Sequence, residues 1–350
     1  MKILHITYWY PNKRNPHDAL WIQRHIQSIE AYCEQSILHL EVKKGEKWML
    51  HQSASDISQT CMLTTPVKSW YIIELLQTLL FLRFVVINGR WKKYNILNIH
   101  IAYPLLTYWH WIKKIVKKPV VITEHWSAYH YNFGVKKNLP RAQRIFQQQL
   151  PVIVVSKALG EDIKNFSTAR ELNTHVVPNI VDTSVFKWQE RSSSNSLKTT
   201  FFMLSQWKSP KDPFTIIKAF AAYCQGKNTE LRIGGYGNLL DDMQRLVREL
   251  HLEEKVTWLG RMEKKDIAKE FQNSSAFLHA SDYETFSVVC AESVCCGCPV
   301  IASNVGGIPE FIDQNNGILL DDLATSSWIQ ALCDIERKNI PSPSNQSSCR

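Results

Sequence analysis

Ala276-Phe277-Leu278-His279-Ala280-Ser281-Asp282-Tyr283-Glu284-Thr285-Phe286-Ser287-Val288-Val289-Cys290-Ala291-Glu292 is a short apolar run, a polar turn and an amphipathic run in immediate succession. Ala276–His279 reads as a buried strand, and a helix begins near Thr285 or Ser287, either of which can cap it. The first free N–H groups of such a helix form an anion site suited to a diphosphate. Glu284 stands just before this end and Glu292 eight positions later, about two turns in. If the whole interval were helical, it would span roughly 12 Å. A glycosidase acid/base pair needs about 5–9.5 Å. The spacing better suits two carboxylates gripping the ends of one polar ligand, with a phosphate between them. The rival reading is two solvated helix-face charges. Cys290, Ala291, Val294 and Cys295 around Glu292 make that face a poor fit to water.

Outward from this stretch the same alternation recurs. Upstream and downstream, strands are expected at 200–204, 231–234, 256–259, 299–302 and 317–320, with helices at 214–224, 239–250, 266–272 and 287–295. The first half repeats the pattern, with strands at 2–7, 36–40, 96–100, 119–123, 151–155 and 175–178. Helices are expected there at 20–29, 71–86, 105–116 and 140–149. Apolar strands separated by helices mean a parallel sheet covered on both faces. Between the halves, Gln189-Glu190-Arg191-Ser192-Ser193-Ser194-Asn195-Ser196 is a polar linker. The fold class is therefore α/β, with two Rossmann-like domains. Residues 1–187 form the first domain, 188–198 the linker, 199–338 the second domain, and 339–350 a disordered-looking or truncated tail. Ligands of open α/β sheets sit beyond the carboxyl ends of the strands, so two facing sheets would share a cleft.

The 350 residues, 45% of them hydrophobic, are enough for two such cores. No signal peptide is expected, and Tyr71–Ile87, interrupted by Glu74, Gln77 and Arg83, is short for a membrane span. Nine cysteines, an odd count, point to reduced thiols in a cytoplasm. Cys295 and Cys298 form a C-x-x-C without a second pair nearby, which favours packing over metal or redox chemistry. Charge is unevenly spread: residues 1–188 balance to +12 and residues 189–350 to −3. A basic first half faces an anionic partner: a membrane surface, a phosphorylated lipid or a nucleic acid. The basic residues form no known nucleic-acid reader motif, so nucleic acid is not expected.

Four further stretches follow strands. Ala302-Ser303-Asn304-Val305-Gly306-Gly307 offers glycines for close backbone approach to a ligand, or an ordinary turn. Leu231-Arg232-Ile233-Gly234-Gly235-Tyr236-Gly237 resembles a dinucleotide fingerprint, but Leu240 stands where the third glycine belongs. It reads as a loop close to nucleotide or phosphate. Ser205-Gln206-Trp207-Lys208-Ser209-Pro210-Lys211 places Lys211 where a point charge would neutralise a diphosphate, against the plainer reading of a solvated loop lysine. Thr123-Glu124-His125-Trp126 makes His125 the best polar candidate of the first half, although a lone histidine is often structural.

Taken together, Glu284, seven intervening residues and Glu292, then Gly297-Cys298-Pro299-Val300-Ile301-Ala302 and Gly306-Gly307-Ile308-Pro309-Glu310, resemble the signature of glycosyltransferase family 4. These are retaining enzymes of the GT-B fold, and the resemblance covers nearly the whole chain. Tyr10-Pro11, Thr123-Glu124-His125, Val155-Ser156-Lys157, Val177-Pro178-Asn179, Lys211 and the Gly234–Gly237 loop fall in the family's order. The resemblance implies that Glu292 holds the nucleotide ribose. It implies that Glu284, with the backbone N–H groups of Phe286, Ser287 and Val288, holds the donor sugar and diphosphate. Lys211 would stabilise the departing diphosphate, Arg261 would lie by the base, and His125 would approach donor sugar and acceptor. Gln206, Gly235 and Gly237 complete the implied donor set. The family's same-face attack, in which the leaving phosphate helps take the acceptor proton, matches the absence of an obvious nucleophile and of a D-x-D metal motif. No metal or other cofactor is expected.

Four departures from the pattern stand out. Gln206 replaces a usual arginine, Ala19-Leu20 a glycine pair, Ser287 and Ile180 each a glycine, and the chain ends in a polar stretch where relatives continue into a helix. The expected function is transfer of a sugar from a nucleoside-diphosphate sugar to a saccharide acceptor, lipid-linked, in cell-surface polysaccharide assembly such as capsule or lipopolysaccharide. The expected site is cytoplasmic, on the inner face of an anionic membrane. The basic runs Arg90-Trp91-Lys92-Lys93 and Lys113-Lys114-Ile115-Val116-Lys117-Lys118, with the apolar segment 71–87, would rest on that membrane, unless 71–87 is simply a buried helix. The alternative is a degenerate relative that binds a sugar nucleotide or a partner without turnover. A nicotinamide oxidoreductase would need the complete glycine fingerprint.

Overall fold

The computed structural model describes residues 1–16, 18–134, 139–169, 171–189 and 198–337. It forms two compact units that divide between Ile180 and Val181. Most of the expected linker (190–197) and the tail from 338 lie outside the described residues. Val181–Gln189 goes with the second unit, because Val181, Val185 and the buried Phe186 pack into that unit's core.

The first unit carries β1 (Lys2–Thr7), β2 (Glu34–Lys44), β3 (Met49–Ala54), β4 (Ser58–Thr65), β5 (Ile96–His100), β6 (Val120–Glu124), β7 (Val152–Val154) and β8 (Thr174–Val176). Their order in the sheet is β3-β4-β2-β1-β5-β6-β7-β8, and the strands are parallel except that β3 runs antiparallel to β4. The β3–β4 edge is absent from the sequence reading. Met49–Ala54 is mostly exposed, and its apolar residues Met49 and Leu50 give way at once to His51-Gln52-Ser53, so it offers no sustained apolar run to detect.

The helices of this unit are α1 (Leu20–Gln27), α2 (Trp70–Phe81), α3 (Ala102–Leu105), α4 (Trp109–Ile112), α5 (Leu139–Phe146) and α6 (Lys157–Ser167). A single helix expected over 105–116 is instead a chain of tight turns containing α3 and α4. Trp109, Trp111, Ile112, Ile115 and Val116 are poor helix formers, and several of their bonds reach only three residues back, as from Trp111 N to Tyr108 O. α2 runs on through a wider π turn, Leu82–Ile87. By length and composition the whole stretch, at mean hydropathy 1.8, passes for a membrane span, but 44% of it is buried within the protein. It is anchored on β2, where Gln77 accepts from Val42 N at 2.8 Å and donates to Leu40 O at 2.9 Å. It thus covers the first sheet and also leaves Tyr71, Ile72, Leu75, Leu79 and Ile87 exposed.

The second unit carries β9 (Thr199–Gln206), β10 (Thr229–Tyr236), β11 (Val256–Gly260), β12 (Ala276–His279), β13 (Val300–Ser303) and β14 (Gly317–Leu320), all parallel, in the order β11-β10-β9-β12-β13-β14. α7 (Pro213–Tyr223), α8 (Leu240–Glu249) and α11 (Thr325–Arg337) cover one face, and α9 (Lys264–Asn273) and α10 (Val288–Cys295) the other. Successive residues of β9 feed opposite cores: Phe201 and Met203 one, Phe202 the other. Cys290, Cys296 and Cys298 are buried in the second of these cores, as small packing residues. All cysteines among the described residues are free thiols.

Candidate functional site

In the second sheet the strand order reverses between β9 and β12, the position beside whose carboxyl ends open α/β sheets bind their ligands. Lys211 follows β9 and Glu284 follows β12. Backbone bonding ties the loops together: Lys211 and Ser281 form a bridge, Asp212 N donates to Ala280 O at 3.1 Å, and Asp282 N to Pro210 O at 3.0 Å. Asp212 then caps α7, accepting from Phe214 N and Thr215 N. That cap fixes where the lysine loop ends and the helix begins.

The side chains meet inside this frame. Lys211 Nζ donates to Glu284 Oε1, and His279 Nε2 donates to the same oxygen at 2.6 Å. Ser287 Oγ lies 3.4 Å from that imidazole nitrogen and donates to Cys290 Sγ at 3.2 Å. Burial pushes the Glu284 carboxyl up, but Lys211 and the His279 hydrogen bond outweigh it and hold the group at about 2. His279 is lowered by burial, which Glu284 partly offsets. Glu284 is therefore an anion throughout the neutral range, gripped by a cation and a ring N–H. A diphosphate entering here would compete with Glu284 for Lys211. His279 is absent from the sequence-based site. The available signal was a polar residue ending an otherwise apolar strand, five positions before Glu284.

α10 begins at Val288, so that Ser287, one of the two expected caps, occupies the cap position, though without bonding a helix N–H. Only the second half of the Glu284–Glu292 interval is helical, so Glu292 stands about one turn into the helix. It is buried there, which rules out a solvated helix face. The N–H groups of Phe286, Ser287 and Val288 fall at the helix start, where intrahelical partners run out. Phe286 is buried, its ring 4.9 Å from that of Phe311.

The backbone explains several glycines. Gly306, at φ +54, lies so close to Glu284 that an added Cβ would sit 1.7 Å from its carbonyl oxygen. Gly307 N donates to the same carbonyl at 3.0 Å. The close approach made possible by this glycine pair is thus to Glu284 itself. Gly235 (φ +108) and Gly237 (φ +155) would meet Ser205 O and Trp207 O, each at 2.0 Å, so both are required by packing against the turn after β9. Two non-glycine departures sit on left-handed backbone: Ala19 at φ +47 and Ser287 at φ +69. Ile180 is not among the left-handed residues.

Gln206 is exposed at the end of β9, beside Tyr236 of β10. Arg261, just past β11, stacks on the Tyr236 ring with its guanidinium carbon 4.5 Å from the centroid. His125 belongs to the first unit and to a buried group of imidazoles. His5 Nδ1 lies 3.1 Å from His100 Nε2, His100 stacks on His125 at 5.9 Å, and His25 meets His125 edge-on at 5.0 Å. His125 Nδ1 is 3.3 Å from Asn179 Oδ1, and its Nε2 has no hydrogen-bond partner among the described residues. Burial and the neighbouring His25 hold its pKa well below the ordinary value, so the ring is neutral at pH 7. Among the described residues no three His, Cys, Asp or Glu side chains are grouped to hold a metal ion.

Comparisons with known proteins match both units. The family described as "Glycosyltransferase Family 4" matches residues 63–185 and that described as "Glycosyl transferases group 1" matches residues 184–345. Among curated relatives, N-acetyl-alpha-D-glucosaminyl L-malate synthase of Bacillus anthracis is 31% identical over 32% of this chain and 29% of its own. D-inositol 3-phosphate glycosyltransferase of Corynebacterium kroppenstedtii is 25% identical over 65% of this chain and 57% of its own. The matches thus span little more than half of these relatives' lengths at most. Among solved structures, Anabaena HepE in complex with UDP is 17% identical at TM-score 0.73, covering 100% of this chain and 92% of its own. The lipopolysaccharide outer core galactosyltransferase WaaB, apo form, is 19% identical at TM-score 0.69, covering 97% and 92%. These likenesses show the fold, which is of the GT-B class. With the two family matches together running from residue 63 to residue 345, and the Glu284–Glu310 signature inside the second, the chain belongs to glycosyltransferase family 4, the group 1 glycosyl transferases.

Proposed function

We propose that the protein transfers a sugar from a nucleoside-diphosphate sugar to a hydroxyl of a saccharide acceptor, with retention at the anomeric carbon and without a metal ion. The observation that carries this reading is the Lys211–Glu284–His279 cluster at the strand-order reversal, beside the start of α10. In this reading the helix N–H groups and Lys211 take the diphosphate. Glu284, released from Lys211, accepts hydrogen bonds from donor-sugar hydroxyls. Glu292 reaches the ribose, and Arg261 on Tyr236 lies by the base. Solved relatives crystallised with UDP and with UDP-glucose support a donor of this chemical class.

The acceptor is proposed to be lipid-linked and the protein peripheral on an anionic membrane. Tyr71, Leu75 and Leu79, exposed on α2, recur at helical spacing. Exposed Trp111 and Ile115 and the cations of 90–93 and 113–118 extend the basic half of the chain. Cell-surface polysaccharide assembly on the cytoplasmic side fits such an acceptor.

The test is incubation of the purified protein with UDP-, GDP-, ADP- and CMP-sugars plus a lipid extract, following nucleotide release and the anomeric configuration of the product by NMR. Release of nucleoside diphosphate with an α-sugar product from an α-donor is expected. Gln206, which removes one cation from the donor site, favours the second reading, a binder without turnover. Binding of a sugar nucleotide with no release, unchanged in Gln206→Arg, would establish it.

A further inference from the structure

The first sheet also reverses its strand order, at β1, which lies between β2 and β5. Two tryptophans stand at the carboxyl ends there. Trp9 comes two residues after β1 and Trp126 two residues after β6. Their rings meet edge to face at 5.1 Å, and both are only half-buried. Trp109, Trp207 and Trp328 are buried outright, at 3% exposed or less, whereas the other tryptophans keep part of the ring in water; among these, Trp9 and Trp126 meet each other just past strand carboxyl ends. An indole left partly in water forgoes burial of a large apolar surface unless something else covers it.

The pair is held firmly from behind. Trp126 packs edge-on against Phe133 at 4.9 Å and against Tyr129 at 6.5 Å. Tyr129 is buried, and its hydroxyl donates to Glu124 at 2.6 Å. Glu124 also accepts from Ala102 N at 2.7 Å, which ties the end of β6 to the end of β5. Ile101 (φ +67), Asn132 (φ +47) and Phe133 (φ +56) hold left-handed backbone around this cluster, and a β-branched residue rarely does so without a reason.

We propose that Trp9 and Trp126 form a stacking platform for the C–H face of a pyranose ring. A pyranose carries axial C–H bonds on one face and hydroxyls around its rim. The electron-rich face of an indole attracts polarised C–H groups and leaves the rim free for water or polar side chains. That the ring is the acceptor's rests on the transferase reading. That the site binds a sugar does not.

The experiment keeps the two apart. Saturation-transfer NMR on the full chain would use methyl β-D-glucopyranoside and methyl β-D-galactopyranoside as probes, with mannitol, which has no ring face, and uridine as comparisons. The expected result is saturation strongest on the pyranoside ring C–H protons and little on mannitol. Binding should weaken about fivefold in Trp9→Ala and Trp126→Ala, and far less in Trp126→Phe. Trp188→Ala, an exposed tryptophan outside the platform, should bind as the wild type does. Thermal melts confirm that each variant is folded. Equal pyranoside binding in the wild type and both alanine variants, or no pyranoside binding at all, overturns the platform. So does a loss of uridine binding in place of pyranoside binding. Failure of the wild type to consume any sugar nucleotide would count against the transferase reading and leave the pyranoside result to be judged on its own.

Discussion

A single oxygen, Glu284 Oε1, receives both Lys211 Nζ and His279 Nε2, so none of these side chains acts alone. Removing Glu284 leaves a buried imidazole and a lysine without their anion, and removing Lys211 lets the carboxyl rise. Glu284→Ala and Lys211→Ala should each lower turnover by about 10²–10³-fold, and the double variant by much less than the product of the two. Strictly multiplicative losses would show that the pair is not a unit. Glu292→Ala should weaken nucleotide binding, read as a rise in the dissociation constant of the nucleoside diphosphate. Gly306→Ala tests the backbone side of the same site. Its Cβ would occupy the space of the Glu284 carbonyl, at a φ unfavourable to alanine. The loop must shift, so turnover should fall at least about tenfold, with a stability loss above about 1 kcal/mol. Gly226 has a similar φ, +68, in open space, so Gly226→Ala carries the conformational penalty without the clash and should keep full activity. If both alanine variants behave alike, Gly306 does not position Glu284.

Among the elements, those with a continuous apolar run were legible. β1, β5, β12 and β14 match their expected bounds residue for residue, because parallel strands covered on both faces carry such runs. Elements whose stability comes from elsewhere were not legible. β3 is a mostly exposed edge strand and depends on pairing with β4. α11 shows Trp328, Ala331, Leu332 and Ile335 at helical spacing, but it gains its place by packing on α7, a distant segment. The site divides in the same way. Glu284, Glu292 and Lys211 could be chosen as residues, whereas their sharing of one oxygen with His279 depends on two loops crossing from opposite sides of the strand-order reversal. α2 combines both cases. Its inner face is fixed by Gln77 on β2 and by Glu74, which pairs with Arg141 at 2.6 Å. Its outer face has no such assignment. If that face rests on lipid, Leu75→Glu with Leu79→Glu should abolish co-sedimentation with vesicles containing about 30% anionic lipid, while turnover of a water-soluble acceptor is kept. Undiminished co-sedimentation would remove α2 from the membrane reading.

Across the whole molecule the buried imidazoles are concentrated in the first unit, which gives the chain a predictable response to acid. The first unit buries His5 and His25, each lowered by desolvation to about 4, together with His100 and His125, which burial also holds well below the usual value. Unfolded, these rings take up protons near pH 6.5. Between pH 6.5 and 4 these rings bind more protons unfolded than folded and weaken the first unit as pH drops through that window, while Glu124, which burial raises to about 7, acts in the opposite sense and offsets part of the loss. At pH 5, His5 and His25 each cost about 2 kcal/mol relative to pH 7.5, a large share of the ~5–15 kcal/mol of a typical domain. The second unit holds its carboxylate the other way. Glu284 is lowered to about 2, so its contribution is intact above the unfolded value near 4.5 and fades only as pH falls toward 2. At pH 5 the first unit, with four such rings, should be weakened more than the second, where His279 alone is lowered in the same sense. Limited proteolysis at pH 5 and rising temperature should thus cut within 1–180 first and leave a resistant fragment containing 198–337, whereas at pH 7.5 the two should resist to closer temperatures. Substituting His5 and His25 by glutamine should flatten the acid sensitivity of the first unit between pH 6.5 and 4 and leave the second unchanged. Simultaneous loss of both units at pH 5, or an acid response that survives these substitutions, would show that the imidazole cluster does not set the acid limit of the fold.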